Sequence, residues 1–117
     1  MSTQSSEIKI QIELDANRVP SKIEWQASDA HQEHPAESKS VFLSFLDRDT
    51  LDTSTLFLWT KDCQMAEMDR SMYYVLTALT DGYYRATQNT ELANEMRRFV
   101  QYFGEKTGIL SADPGNV

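Results

Sequence analysis

The residues with the most reactive side chains are one cysteine, Cys63, and two histidines, His31 and His34. A thiol near the start of a helix can have a lowered pKa and act as a nucleophile, but catalysis also needs a general base. Both histidines lie in the polar segment "SDAHQEHPAES", and no sequence pattern brings either of them to Cys63. We therefore expect no catalytic residues, and we expect Cys63 to be a small, half-buried structural residue.

The same polar segment contains the residue types that bind zinc, namely His31, Glu33, His34 and Glu37. Pro35 and its polar neighbours predict a solvated loop, which does not fix ligand geometry, and tetrahedral zinc motifs have tighter spacing. The chain has only four glycines, and none of them forms a phosphate-binding pattern. The sequence therefore predicts no metal site, no cofactor and no enzymatic activity.

Composition and charge indicate which classes of partner and which cellular location to expect. The chain has 117 residues and a net charge of −7, which fits one soluble domain that repels nucleic acid and anionic membrane surfaces. A single cysteine cannot form an internal disulfide. The start "MSTQSSEIKI" does not resemble a signal peptide, and "VFLSFL" is too short to span a bilayer. We expect a cytoplasmic protein with no membrane insertion.

Hydrophobic periodicity predicts four strands in the first half of the chain. "EIKIQIEL" and "SKIEWQA" alternate between apolar and polar residues and are joined by the turn "DANRVP", which is typical of an antiparallel hairpin. "KSVFLSFLD" and "TLFLWT" are apolar on both faces, with Val41, Leu43 and Phe45 expected to face inward; a short helix is the alternative for the first of them.

Two helices are predicted after Thr60. Apolar residues then recur at three and four positions, with Asp62 as the expected N-cap of the first helix. The second helix is expected from about Glu91 to Thr107, ending at Gly108. Its inward residues are expected to be Leu92, Met96, Phe99, Val100 and Phe103.

These elements predict an α+β fold, in which a four-stranded antiparallel sheet is followed by a two-helix hairpin packed on one face. The predicted organisation is a flexible N-terminus over residues 1–6, one domain over residues 7–110, and a flexible tail over residues 111–117.

Large apolar side chains remain beyond those needed for one sheet face and one helix stripe. Tyrosine is enriched at protein interfaces, and adjacent tyrosines on a helix must present a second face, although a broad core face with surface hydroxyls is the alternative. We expect this surface to form a homodimer, or to be covered by another protein. The candidate interface residues are Phe42, Leu46, Phe57, Trp59, Tyr73, Tyr74 and Tyr84.

Several segments resemble the gliding motility-associated protein GldC family. They are "SEIKIQIELDANRVPSKIEW" (residues 6–25), "LWTKD" (58–62), "AEM" (66–68) and "MRRFVQYFGEKTGI" (96–109). The resemblance extends over about residues 6–110, and it departs from the family in the histidine-containing loop, which is longer, and at Cys63, where methionine is usual.

The resemblance implies an accessory, non-enzymatic protein that interacts with other gliding motility or secretion proteins, and it carries over no site residues. An alternative is a chaperone-like binder of unfolded export clients, because the predicted order of four strands and two helices is similar to that of the SecB export chaperone.

Overall fold

A computed structural model describes residues 3–110 of the chain. Contacts divide these described residues into two compact units, with the boundary between Cys63 and Gln64. The first unit contains five strands: β1 (Ile8–Leu14), β2 (Pro20–Ala27), β3 (Ala36–Ser38), β4 (Ser40–Leu46) and β5 (Thr53–Trp59). The second contains two helices: α1 (Met65–Thr87) and α2 (Thr90–Lys106). The predicted tail over residues 111–117 lies outside the described residues.

The predicted β1–β2 hairpin is confirmed. The strands are antiparallel, and their register places Ile12 opposite Ile23 and Ile10 opposite Trp25. Alternation therefore puts the apolar residues of both strands on one face, where Ile23 is only 1% exposed. The turn is held by Asp15, whose Oδ1 accepts hydrogen bonds from the backbone N–H groups of Asn17 and Val19 at 2.8 and 3.0 Å.

The prediction of a single four-stranded sheet is wrong. Five strands form two antiparallel sheets, one of order β1-β2-β3 and one of β4 and β5. The missed strand, β3, lies inside the segment predicted as a loop, and it pairs with β2 from Ile23–Ser38 to Trp25–Ala36. Three residues of mixed polarity are too few to display an alternating pattern.

Lys39 separates β3 from β4 and marks the change from one sheet to the other. Its carbonyl oxygen accepts the backbone N–H of Thr60 at 2.9 Å, so this position pairs with the chain that follows β5. The β2 pairing ends at Ser38, and the β5 pairing begins at Ser40. One nearly continuous extended segment thus serves both sheets.

Helix α1 begins later than predicted, and the expectation that Asp62 is its N-cap is wrong. The N-cap is Gln64, and the Glu67 carboxylate accepts the Gln64 backbone N–H at 2.9 Å. This is the reciprocal arrangement of a capping box, in which a carboxylate three residues into the helix satisfies a backbone donor. The Asp62 carboxylate instead accepts the hydroxyl of Thr60 at 2.5 Å, which lowers the pKa of Asp62.

Helix α2 agrees with its predicted limits, but its predicted inward face is right only in part: Val100 is buried, and Met96 and Phe103 are half-buried. Asn89 caps its start by accepting the backbone N–H of Leu92 at 3.1 Å, and Gly108 follows its end with a φ of 79°, as expected for a glycine beyond a C-cap. The buried residues of α2 are Ala93, Val100 and Gly104, whereas Leu92 and Phe99 are exposed. Small residues such as Ala93 and Gly104 let two helices approach closely, and the larger side chains of Leu92 and Phe99 lie at the surface.

Candidate interaction surface

The β4–β5 ribbon brings the four predicted strand residues of the candidate interface onto one face. Its register places Phe42 opposite Phe57, Ser40 opposite Trp59 and Leu46 opposite Thr53. Residues directly opposite in an antiparallel pair, and residues two apart along a strand, share a face. We call the set Phe42, Leu46, Phe57 and Trp59 the aromatic face.

Three rings of the aromatic face pack edge to face. The ring centroids of Phe42 and Phe57 are 5.4 Å apart at an interplanar angle of 88°, and those of Phe57 and Trp59 are 5.5 Å apart at 78°. Edge-to-face pairs of this kind add about 0.5–1.5 kcal/mol beyond the burial of their area. Phe57 is the central and half-buried ring, and it orders its two neighbours.

Much of this face is exposed to solvent. Trp59 is 49% exposed and Leu46 is 67% exposed, and Phe42 is also exposed. Exposed apolar side chains that lie next to one another are more informative than scattered ones, because they mark surfaces that bind other molecules. The aromatic face is therefore an ordered, accessible apolar surface.

The opposite face of the ribbon departs from the prediction that it points inward. Val41 and Leu43 are half-buried, but Phe45 is 62% exposed. Phe45 and Leu46 are adjacent and lie on opposite faces, yet both are exposed. Side chains near the β4–β5 turn are therefore exposed on both faces of the ribbon.

The turn between β4 and β5 is organised by Asp47. Its Oδ2 accepts the backbone N–H groups of Thr50 and Asp49 at 2.9 and 3.0 Å, and the Thr50 hydroxyl at 3.2 Å. These hydrogen bonds, with that from the Thr50 backbone the strongest, lower the pKa of Asp47. The end of the ribbon therefore carries a fixed negative charge at neutral pH.

Two of the three predicted helical interface residues take part in helix pairing. Tyr73 of α1 packs against Gly104 of α2, and the guanidinium of Arg97 on α2 lies 5.3 Å from the ring centroid of Tyr84 on α1. A cation over a ring face is attracted by the quadrupole of the ring. Both tyrosines are half-buried and hold α1 and α2 together.

Tyr74 is the exposed member of the three predicted helical interface residues. Its ring is 5.1 Å from that of Tyr73, and the Arg70 guanidinium lies 5.1 Å from its centroid. Sequence reasoning missed two further exposed rings, Phe99 and Tyr102, whose centroids are 6.4 Å apart on α2. Their spacing of three residues places them on one helix face, and this spacing could have predicted a shared aromatic surface on α2.

The potentially reactive residues of the sequence are exposed or half-buried. His31 and His34 are exposed, and His31 lies in a turn with a φ of 51°. Cys63 is half-buried, and its backbone N–H donates to the Thr60 carbonyl at 2.9 Å. Within residues 3–110, His, Cys, Asp and Glu form no group of three that could hold a metal ion. In the same range, neither helix is long and apolar enough to cross a membrane.

These features define a small α+β protein with antiparallel sheets, a helix pair and an exposed aromatic ribbon. The chain belongs to the gliding motility-associated GldC-like family, since the family model described as "Gliding motility-associated protein GldC-like" matches residues 20–109. The resemblance noted in the sequence is thereby confirmed. Comparison with curated proteins and with solved structures found no match.

Proposed function

We propose that this chain is an accessory, non-enzymatic interaction protein of bacterial gliding motility and its associated secretion apparatus, and that it acts in the cytoplasm. The observation that carries the proposal is membership of the GldC-like family over residues 20–109. The family is not known for an enzymatic activity. Binding to other motility proteins is the role that remains for such a chain.

The aromatic face supports a role in binding. Trp, Tyr and Phe are enriched at protein interfaces, because they bury a large area with few rotatable bonds. Phe42, Phe57 and Trp59 are already ordered by mutual packing, so little side-chain freedom is lost when a partner covers them.

Co-purification from a gliding bacterium that encodes this protein tests the role. A tagged wild-type chain is expected to recover gliding or secretion components, and Leu46→Asp is expected to recover less, because it places a charge on the aromatic face. Ile8→Asp is the matched control, since Ile8 is 70% exposed and Leu46 67% exposed, but Ile8 lies in β1. Failure of the wild-type chain to recover any such component under several conditions contradicts the proposal.

The protein also forms a homodimer in this proposal. Apolar side chains exposed next to one another on the ribbon mark it as a region of association, and a two-fold contact is the commonest arrangement of two identical chains. Sedimentation equilibrium at micromolar concentration is expected to give the mass of two chains. A mass of 13.4 kDa throughout the accessible range contradicts the dimer.

A chaperone-like binder of unfolded export clients is the second candidate. It is favoured by apolar exposure on both faces of the ribbon, at Phe45 and Leu46, since unfolded chains present apolar segments without a defined shape. The analogy with SecB in element order is weaker than expected, because the part of the chain that the structure describes has five strands in two sheets. Suppression of the aggregation of an unrelated unfolded protein supports this candidate, and no effect at stoichiometric excess contradicts it.

A further inference from the structure

The two strands of the ribbon contain no charged residue and no proline. β4 is "SVFLSFL" and β5 is "TSTLFLW", in a chain of which 25% is charged. Each strand of a two-stranded sheet has one paired edge, and within residues 3–110 no strand pairs with the second edge of either. A long, uncharged edge with unpaired N–H and C=O groups is a template for pairing with another chain.

The other sheet of the same chain provides a contrast. Its edge strand β1 carries Lys9 and Glu13 and is preceded by Glu7. Charged side chains on an edge strand oppose pairing with a second chain, because the charge must be desolvated or matched. The chain thus protects the β1 edge in the usual way and leaves the ribbon edges without that protection.

We propose that β4 pairs antiparallel with β4 of a second copy, about a two-fold axis at Leu43. The two ribbons then form one four-stranded sheet of order β5-β4-β4-β5. This inference rests on the self-association proposed above and adds the strand, the register and the residues that determine it. The aromatic faces of both copies lie on the same side of the joined sheet, where they remain available to a motility partner.

The register follows from the residues that come to lie opposite each other. With the axis at Leu43, Val41 faces Phe45 of the second copy, and Phe42 faces Ser44. A β-branched or small side chain opposite a ring packs well on a pleated surface. Beyond the strand ends, Lys39 faces Asp47 of the second copy, and two-fold symmetry repeats this contact at the other end.

In the neighbouring registers, Lys39 no longer lies opposite Asp47 of the second copy. An axis at Phe42 places Lys39 opposite Phe45, and an axis at Ser44 places Asp47 opposite Val41. Either arrangement sets a charge against an apolar side chain, at the cost of its desolvation. The axis at Leu43 is therefore favoured over these alternatives.

The Lys39 ammonium and the Asp47 carboxylate can form the proposed ion pair between the two copies. The Asp47 carboxylate is held ionised by the hydrogen bonds of its turn, and Lys39 is exposed. Lys39 also acts electrostatically on Asp62 of its own chain, and an ammonium group has donors enough for two carboxylates. Two chains of net charge −7 repel each other, so an uncharged strand flanked by complementary charges is where they can approach most closely.

The corresponding edge of β5 is less suitable. Pairing of β5 with itself about Leu56 places Trp59 opposite Thr53 and Asp52 opposite Thr60, with no complementary charge at either end. Lys61, the next basic residue, already pairs with Asp15 at 3.2 Å. The charge pattern thus selects β4.

Cysteine cross-linking tests the register. Cys63 is the only cysteine, so Cys63→Ser provides a cysteine-free background. In it, Leu43→Cys is expected to form an intermolecular disulfide on mild oxidation, because residue 43 faces itself across the axis. Val41→Cys alone is expected not to do so, but a mixture of Val41→Cys and Phe45→Cys chains is expected to form mixed dimers. Equal cross-linking of Val41→Cys and Leu43→Cys overturns the register.

Reversing the charge of Lys39 tests whether β4 is the strand that pairs with the second copy. Lys39→Glu places like charges at both ends and is expected to weaken the dimer about tenfold in sedimentation equilibrium. Adding Asp47→Lys in the same chain is expected to restore it. Asp47→Lys also removes the hydrogen bonds of its turn, so circular dichroism must confirm folding; if the double variant is unfolded, Lys39→Glu and the cross-links decide.

The outcomes separate this inference from the proposals on which it rests. A wild-type dimer that does not respond to Lys39→Glu and does not cross-link through Leu43→Cys overturns the β4 pairing and leaves self-association intact. A wild-type chain that sediments as a monomer overturns both. Recovery of gliding components by co-purification is measured separately and does not depend on either result.

Discussion

Tyr73 of α1 packs so closely on Gly104 of α2 that a methyl group at residue 104 would lie 2.7 Å from Cε1 of the tyrosine ring. The same methyl group would lie 2.8 Å from the side chain of Leu110. Carbon atoms do not normally approach within 3 Å, so a side chain at residue 104 forces its neighbours to move. The absence of a side chain at Gly104 is thus part of how the two helices pack.

Gly104→Ala is therefore expected to destabilise the helix pair. Alanine favours a helix over glycine by about 1 kcal/mol, but overpacking a close contact costs about 1–3 kcal/mol, so the net loss should be up to about 2 kcal/mol. Gly82→Ala is the matched control, since its added methyl group meets nothing closer than Arg85 at 3.8 Å. Urea unfolding followed by helical circular dichroism should show loss for Gly104→Ala and gain for Gly82→Ala.

Cys63→Ser is expected to change little. Cys63 is half-buried, so the change should cost at most about 1 kcal/mol. Gliding should survive in cells that carry the variant. Loss of gliding with a normally folded protein would show that the thiol has a chemical role.

Replacement of both histidines is expected to leave stability and gliding unchanged. His31 should be changed to Asn, because its φ of 51° lies in the left-handed region that Asn tolerates, and His34 to Ala. Zinc is expected not to raise the melting temperature of the wild-type protein. A zinc-dependent rise that disappears in the double variant would reveal a metal site.

Leu46→Asp and Phe57→Asp are expected to differ, although both residues lie on the aromatic face. Leu46 is 67% exposed, so its replacement should leave the fold intact and reduce association. Phe57 is half-buried between Phe42 and Trp59, so a carboxylate there should also lower the melting temperature. Thermal unfolding and sedimentation of both variants test this; equal melting temperatures would mean that Phe57 contributes little to the ribbon.

Acid is expected to weaken the turn that joins β4 and β5. The pKa of Asp47 lies below its usual 3.8, so its contribution to stability is complete above that pH and is lost as the pH falls through the lower, folded-state pKa. Asp47→Asn should reduce stability at pH 7 and flatten its decline below pH 3.8. Asp52→Asn controls for loss of a charge nearby, and an identical pH profile for wild type and Asp47→Asn would contradict this role.

The sequence by itself determined the features that depend on a few neighbouring residues. Alternation predicted β1 and β2, and the period of three and four residues predicted both helices. Gly108 marked the end of α2, because glycine accepts a positive φ at no steric cost. The grouping of Phe42, Leu46, Phe57 and Trp59 also followed from alternation, once the two strands were paired in the observed register.

The tertiary structure decided what depends on residues far apart in the chain. Only pairing with β2 makes a strand of Ala36–Ser38, and only the exchange of partners at Lys39 divides one sheet into two. Ala93 and Gly104 join the predicted Val100 on the buried face of α2, whereas Phe99, which hydrophobicity alone also placed there, is exposed. Local sequence patterns reflect the backbone geometry of a helix or a strand. Strand register and side-chain burial depend on which surfaces pack together, and no single segment of the sequence determines that packing.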